Sequence, residues 1–164
     1  MKLKEISIIF IILFAAWLIL NQSTATEYLV SGALIALAIS MLMCRHCTVF
    51  DELRLSPKAF LFTLLFLFTF IKELIKANFD IAWRVLSPSL PIKPGIIRAT
   101  TTLQSKMARL ILANSITLTP GTFTIDIIDD TLYIHCVYVD SEDPEQYGQQ
   151  IIRKFEKYLE VIYG

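Results

Sequence analysis

Three groups of side chains could carry chemistry in this chain. Cys44-Arg45-His46-Cys47 is a CxxC, the spacing that converges two thiolates on one metal ion or one disulfide bond. A closed zinc site needs a second pair of ligands, for which only His46, His135 and Cys136 are available, and no βαβ pattern surrounds the motif as a thioredoxin-like site requires. The expectation is reduced thiols at the cytoplasmic end of a membrane span, with His135 a plain strand residue. Glu73 is the second candidate, because a carboxylate in or beside an apolar helix can relay a proton or a cation. Lys72 and Lys76 flank it at helical spacing, which suits a solvated or headgroup-facing surface with local ion pairing; a structural role is expected ahead of transport. The third is Thr117-Leu118-Thr119-Pro120-Gly121-Thr122, which sets Gly and hydroxyl residues at a helix boundary. Anion sites use helix amino termini, whereas this turn falls at a carboxy terminus, so its hydroxyls are expected to satisfy loop amides. There is no Walker loop, dinucleotide fingerprint or nucleophile triad. No catalytic, cofactor-binding or metal residue is assigned.

The elements that must position these residues begin with composition. The 164 residues are 55% hydrophobic and 18% charged, with a mean hydropathy of +0.59, more apolar than a typical soluble domain. This predicts a membrane protein. Net charge is zero and the isoelectric point about 6.7, so nothing points to nucleic acid. Ile6 to Leu20 carries only Ser7 as a polar interruption, and Leu29 to Met43 only Ser31, Gly32 and Ser40. Lys2 and Lys4 ahead of the first run also fit a signal peptide, but the Asn21 to Glu27 segment leads at once into the second run, which predicts a transmembrane helical hairpin. Neither run contains an ionisable side chain, whereas a chain that moved ions by itself would place such groups inside its spans.

Phe60 to Ile71 is a third apolar segment, of a length more typical of interfacial or protein-buried helices. It continues amphipathically: Lys72, Lys76, Asp80 and Arg84 recur every fourth residue, opposite Ile71, Ile75, Phe79, Trp83 and Leu86, until Ser87-Pro88 stops the helix. Lys2 and Lys4 precede the first span and Arg45, Arg54 and Lys58 follow the second, while the intervening loop has neither Lys nor Arg; both ends of the hairpin are therefore expected in the cytoplasm. A third crossing would export the later basic residues, so a shallow or partner-supported third helix is preferred. A three-span topology with the amino terminus outside is the alternative, and it too leaves the carboxy-terminal domain cytoplasmic.

That domain is expected to be a small two-layer β-α-β-β-α unit. Ile96 to Thr101 suits a strand, and Leu103 to about Leu118 a helix with Met107, Leu110, Ile111 and Leu118 on one face. Thr122 to Ile128 alternates, with Phe123, Ile125 and Ile127 on one side, and Leu132 to Val139 returns as its hairpin partner after Asp129-Asp130. Asp143-Pro144-Glu145-Gln146 signals the start of a last helix with Tyr147, Ile151, Phe155, Tyr158 and Ile162 on one stripe. A right-handed crossover is expected if the first two strands are parallel. The fold class is thus an α+β membrane protein. Residues 1–86 form the membrane region, with apolar segments at about 6–21, 28–44 and 58–86; residues 87–94 form a Pro-rich linker, and 95–164 the α/β domain.

The block Arg109-Leu110-Ile111-Leu112-Ala113-Asn114-Ser115-Ile116-Thr117-Leu118-Thr119-Pro120-Gly121-Thr122 closely resembles the matching stretch in the E subunit of the Mrp-type multisubunit Na⁺/H⁺ antiporters. The likeness extends over essentially the full chain, through the Ser-Pro linker, Leu132-Tyr133-Ile134-His135 and the amphipathic terminal helix. The family also supplies a sister subunit to membrane-bound hydrogenase-type complexes. The resemblance implies a multi-pass accessory subunit of the cell membrane, without a cofactor, whose partners are the other subunits and the lipid bilayer. It makes Asn114, Thr117, Thr119, Pro120, Gly121 and Thr122 a structural signature and leaves Glu73 as the one ion-relay candidate. Three functions follow: an antiporter accessory subunit, its equivalent in a hydrogenase-type respiratory complex, or an independent membrane-anchored binding module. Nickel-iron hydrogenase-like and iron-sulfur subunits encoded nearby would favour the second, and a stable monomer without co-purifying subunits the third.

Overall fold

The structure, a computed structural model, describes residues 2–22, 25–43, 52–139 and 143–164. Cys44-Arg45-His46-Cys47 lies outside the described residues. The chain divides into two compact units, Met1–Leu53 and Arg54–Gly164.

The first unit is a helical hairpin of α1 (Lys2–Asn21) and α2 (Thr26–Met43). Both are long and apolar enough to cross a membrane. They pack through small residues, since Gly32, Ala36 and Ser40, one helical turn apart, form the buried face of α2. Such a stripe lets two backbones approach where lipid supplies no hydrophobic drive between helices. Trp17 of α1 lies over Gly32 so closely that a Cβ there would overlap the indole. The indole N–H donates to the Tyr28 carbonyl at 3.0 Å, and the buried Ser40 hydroxyl donates to the Ala36 carbonyl at 2.7 Å. Glu5, just before the first apolar run, is buried within the first turn of α1, where the helix dipole favours a carboxylate.

The second unit starts with α3 (Pro57–Leu86), one unbroken helix of 30 residues and about 45 Å. Ser56 caps it by accepting from the Ala59 amide at 3.0 Å, Pro57 occupies the first turn, and Ser87 ends it. The expected apolar segment and its amphipathic continuation are therefore a single element. Then follow β1 (Gly95–Thr100), α4 (Lys106–Leu118), β2 (Thr122–Ile128), β3 (Thr131–Cys136) and α5 (Pro144–Tyr163), in the expected order. The sheet order is β1-β3-β2, with both outer strands antiparallel to β3. β1 and β2 thus run the same way but are separated by β3. Helices α4 and α5 cover one face of the sheet around a core of Ile97, Leu112, Ile116, Leu132, Ile134, Ile152 and Leu159. α3 lies on the other side of α5, with Phe66 edge-on to Phe155 at 6.1 Å and Phe62 edge-on to Tyr158 at 6.3 Å.

Three packing details differ from the periodicity reading. β2 carries a bulge between Thr124 and Asp126, which shifts the alternation by one residue. Phe123, ahead of the bulge, and Ile125 within it are exposed on the open face, and the shift brings Ile127 to join Thr122 and Thr124 on the covered side. In α4 the buried face is Ala108, Leu112, Ala113, Ser115 and Ile116, while Leu110 and Leu118 point outward; small residues admit the sheet and α5 where large ones would not. α5 is covered on two sides, so its centre shifts to Ile152, Phe155 and Leu159, with Tyr147, Ile151 and Tyr158 half-buried.

Candidate functional site

The turn that follows α4 is built by its own side chains. Four carbonyls at a helix carboxy terminus lack partners within the helix, and here hydroxyls supply them. The Thr119 hydroxyl donates to the Ser115 carbonyl at 2.8 Å; the Thr122 hydroxyl donates to the Ile116 carbonyl at 2.7 Å and the Thr119 carbonyl at 2.9 Å. The Thr117 hydroxyl alone accepts from an amide, that of Thr124, at 3.2 Å. The hydroxyls therefore serve mainly carbonyls rather than the amides expected, because the turn lies where a helix leaves acceptors unpaired. Pro120 prevents a further helical turn, and Gly121 then takes a φ of +89°, a region that disfavours side chains. A Cβ on Gly121 would also lie 2.9 Å from the Ile81 Cδ1 of α3. Asn114 is exposed.

This turn and Glu73 border the same cleft, of about 390 Å³, between α3, α5 and the end of α4. Thr119, Pro120 and Thr122 form one wall; Glu73, Lys76, Asp80 and Arg84 project from α3. Sequence spacing left the two candidates unrelated, since the packing of α3 on α5 is what brings them together. The charges in the cleft are largely paired with each other. Glu73, whose side chain is 17% exposed, accepts from Lys154 Nζ of α5 at 2.7 Å, so its partner comes from across the interface and not from Lys72 or Lys76. Arg84 binds Asp80 at 2.7 Å and the Pro91 carbonyl at 2.7 Å, and its guanidinium lies 4.0 Å from the centre of the Tyr138 ring. The hydrogen bond that Arg84 donates to Asp80 raises the Arg84 pKa against the opposing cost of burial. Arg84 thereby ties α3 to the linker and to the segment after β3.

Cys136 is buried at the end of β3, and burial pushes its thiol up to about 11. A thiol held protonated is a poor nucleophile and a poor metal ligand. His135 points to the opposite face of the strand. Among the described residues no group of three His, Cys, Asp or Glu side chains is placed to hold a metal. Glu156 of α5, outside the apolar stripe read from the sequence, is buried and accepts from the Thr101 hydroxyl at 2.5 Å and the Thr102 amide at 2.7 Å. The paired Thr101-Thr102 hydroxyls were the available signal. The cleft thus offers anchored ion pairs and capped turns, an arrangement suited to holding elements together.

The family described as Na⁺/H⁺ ion antiporter subunit matches residues 10–162, from α1 to the end of α5. The chain belongs to this family. The E subunit of the Na⁺/H⁺ antiporter of Alkalihalophilus pseudofirmus is 41% identical over 88 residues, which is 54% of this chain and 56% of that protein. The match therefore spans little more than half of that relative. The E1 subunit of the Na⁺/H⁺ antiporter of Staphylococcus aureus (strain bovine RF122 / ET3-1) is 30% identical over 151 residues, 89% of each chain. Among solved structures, a chain of the membrane-bound sulfane sulfur reductase, an archaeal respiratory membrane complex, is similar with a TM-score of 0.82 and 37% identity. That likeness covers 97% of this chain and 99% of the other. The resemblance to the antiporter E subunit, read from the Asn114 to Thr122 block, is borne out. The relatives named here are subunits of Na⁺/H⁺ antiporters, and the similar solved chain belongs to a respiratory membrane complex.

Proposed function

We propose that this chain is the E-type accessory subunit of an ion-pumping respiratory membrane complex, where it supports assembly and activity while other subunits carry the ions. The observation that carries this reading is the end-to-end likeness to a chain of an archaeal respiratory membrane complex, over 97% of one and 99% of the other. Apolar runs without ionisable groups and a cleft of paired charges support a non-conducting role. The second reading is the equivalent subunit of a Na⁺/H⁺ antiporter, favoured by the names of the relatives at 41% and 30% identity. Both readings place the partners among the membrane subunits of the complex. Lys2, Lys4, Arg54 and Lys58 at the outer ends of the hairpin, against a connecting loop without Lys or Arg, support a cytoplasmic α/β domain. Residues 1–86 are the membrane region, including α3 by its outward apolar face; 87–94 are the linker, and 95–164 the α/β domain. Asn114, Thr117, Thr119, Pro120, Gly121 and Thr122 act as a structural signature.

The test is purification of the tagged chain from its native membrane. Co-purifying redox subunits and proton or Na⁺ pumping driven by an electron acceptor are expected. Na⁺-driven proton flux without redox subunits would move the assignment to the antiporter, and a monodisperse monomer without membrane partners would sink both in favour of an independent binding module.

A further inference from the structure

The inward side of α3, through Phe62, Phe66, Phe70 and Glu73, is taken by α5. On the opposite side Phe60, Leu64, Phe68, Ile75, Phe79 and Trp83 are between 49% and 74% exposed. This stripe runs nearly the length of the helix and has no partner within the described residues of its unit. An aromatic-rich face of that kind belongs in a membrane interface or against protein, and the charge beside it distinguishes the two. At the angular step of an α-helix, Lys58, Lys72 and Lys76 line one border of the stripe. The acids that could neutralise the last two are already engaged, Glu73 by Lys154 and Asp80 by Arg84, each at 2.7 Å. Along that border the seam between α3 and α5 opens into a cleft of about 450 Å³, with Leu65 and Phe68 on its apolar side and Lys72, Lys157, Tyr158 and the Glu73–Lys154 ion pair on its polar side, so that Lys72 and Lys157 leave its lining net positive. The stripe also cannot simply cross the bilayer. Lys72, Glu73 and Lys76 sit at the middle of α3, and the charged helix α5 packs along the same length, so a crossing would draw this charge into hydrocarbon.

We propose that α3 lies in the plane of the membrane interface and that the cleft between Lys72 and Lys157 holds the phosphate of an anionic phospholipid, whose acyl chains run over Leu65 and Phe68. An uncompensated basic row beside an apolar aromatic face matches the two chemistries of such a lipid. This surface adds lipid recognition to the assembly role and holds for either complex.

The experiment uses the full chain in nanodiscs of phosphatidylcholine with a minority of phosphatidylglycerol. In a Trp17→Phe, Trp83→Phe background, Ile75→Trp sets one tryptophan near the midpoint of α3, and its fluorescence is expected to be quenched by a nitroxide near the headgroup more than by one at the acyl terminus. Native mass spectrometry of the full chain and of the purified complex, neither needing those substitutions, should show phosphatidylglycerol retained over phosphatidylcholine. Lys72→Gln and Lys157→Gln, both at exposed positions, should lower that retention on the order of five-fold each. Lys72→Arg with Lys157→Arg should preserve it, and Lys93→Gln on the linker should leave it unchanged. Stronger quenching at the acyl terminus would place α3 across the bilayer. No quenching by either probe, or full lipid retention in the double Gln variant, would mean that the stripe meets protein; each of these outcomes overturns the proposal.

Discussion

Glu73 and Cys136 show how a side chain's surroundings settle what its type left open. A carboxylate in an apolar helix could relay ions, but Glu73 is bound to Lys154 at 2.7 Å and joins α3 to α5. Glu73→Gln should leave ion exchange of the assembled complex largely intact and cost about 1 kcal/mol or less of stability, because Lys154 keeps access to water. Flux assays alongside complex yield check this, and lost flux with normal assembly would make Glu73 a conducting residue. Cys136 titrates near 9.0 when unfolded and near 11 in its buried site. Between those values the unfolded chain releases a proton that the folded chain retains, so the benefit of burial is complete below pH 9.0 and fades as pH rises through about 11. In a chain with Cys44 and Cys47 replaced by Ser, native alkylation at about pH 8 should be roughly a hundred-fold slower than after denaturation. A native rate equal to the denatured one would show the thiol to be accessible and unperturbed.

At the scale of elements, the capping signals in the chain were legible because they act within a few residues. Asp143 accepts from the Glu145 and Gln146 amides at 3.0 and 3.1 Å, and Pro144 opens α5, as its sequence announces. The bulge in β2 was not legible, since alternation alone carries no mark of an inserted residue and only the pairing with β3 reveals it. Close approaches between elements are likewise invisible along the chain. Gly121→Val must force a side chain into a φ of +89° and toward Ile81; a loss of about 2 kcal/mol is expected, with reduced complex yield. Thermal unfolding of the purified complex measures it, and unchanged stability would separate the turn from α3. Gly32→Leu should part α1 from α2 by displacing Trp17 from the Gly32-Ala36-Ser40 stripe, at a cost of about 1–3 kcal/mol. Denaturant titration in detergent, followed by Trp17 fluorescence, reads that effect directly.

For the molecule as a whole, a chain without ionisable groups inside its apolar runs is expected to matter through assembly. Removing it should leave the complex unstable or inactive, with the loss seen as reduced co-purification of the other subunits together with reduced ion flux. Full flux from a complex lacking the chain would refute an accessory role. The sequence by itself determined the two apolar helices, the order of strands and helices after residue 95, and the family, since hydropathy, capping and a long local block act at short range along the chain. It did not determine that α3 folds onto α5, that Glu73 faces Lys154, or that the Thr117 to Thr122 turn and Glu73 border one cleft. Those relations join residues tens of positions apart. They arise only when burial of Phe66, Phe155 and their neighbours selects one packing of the helices, and periodicity along a single element contains no record of which element will cover it.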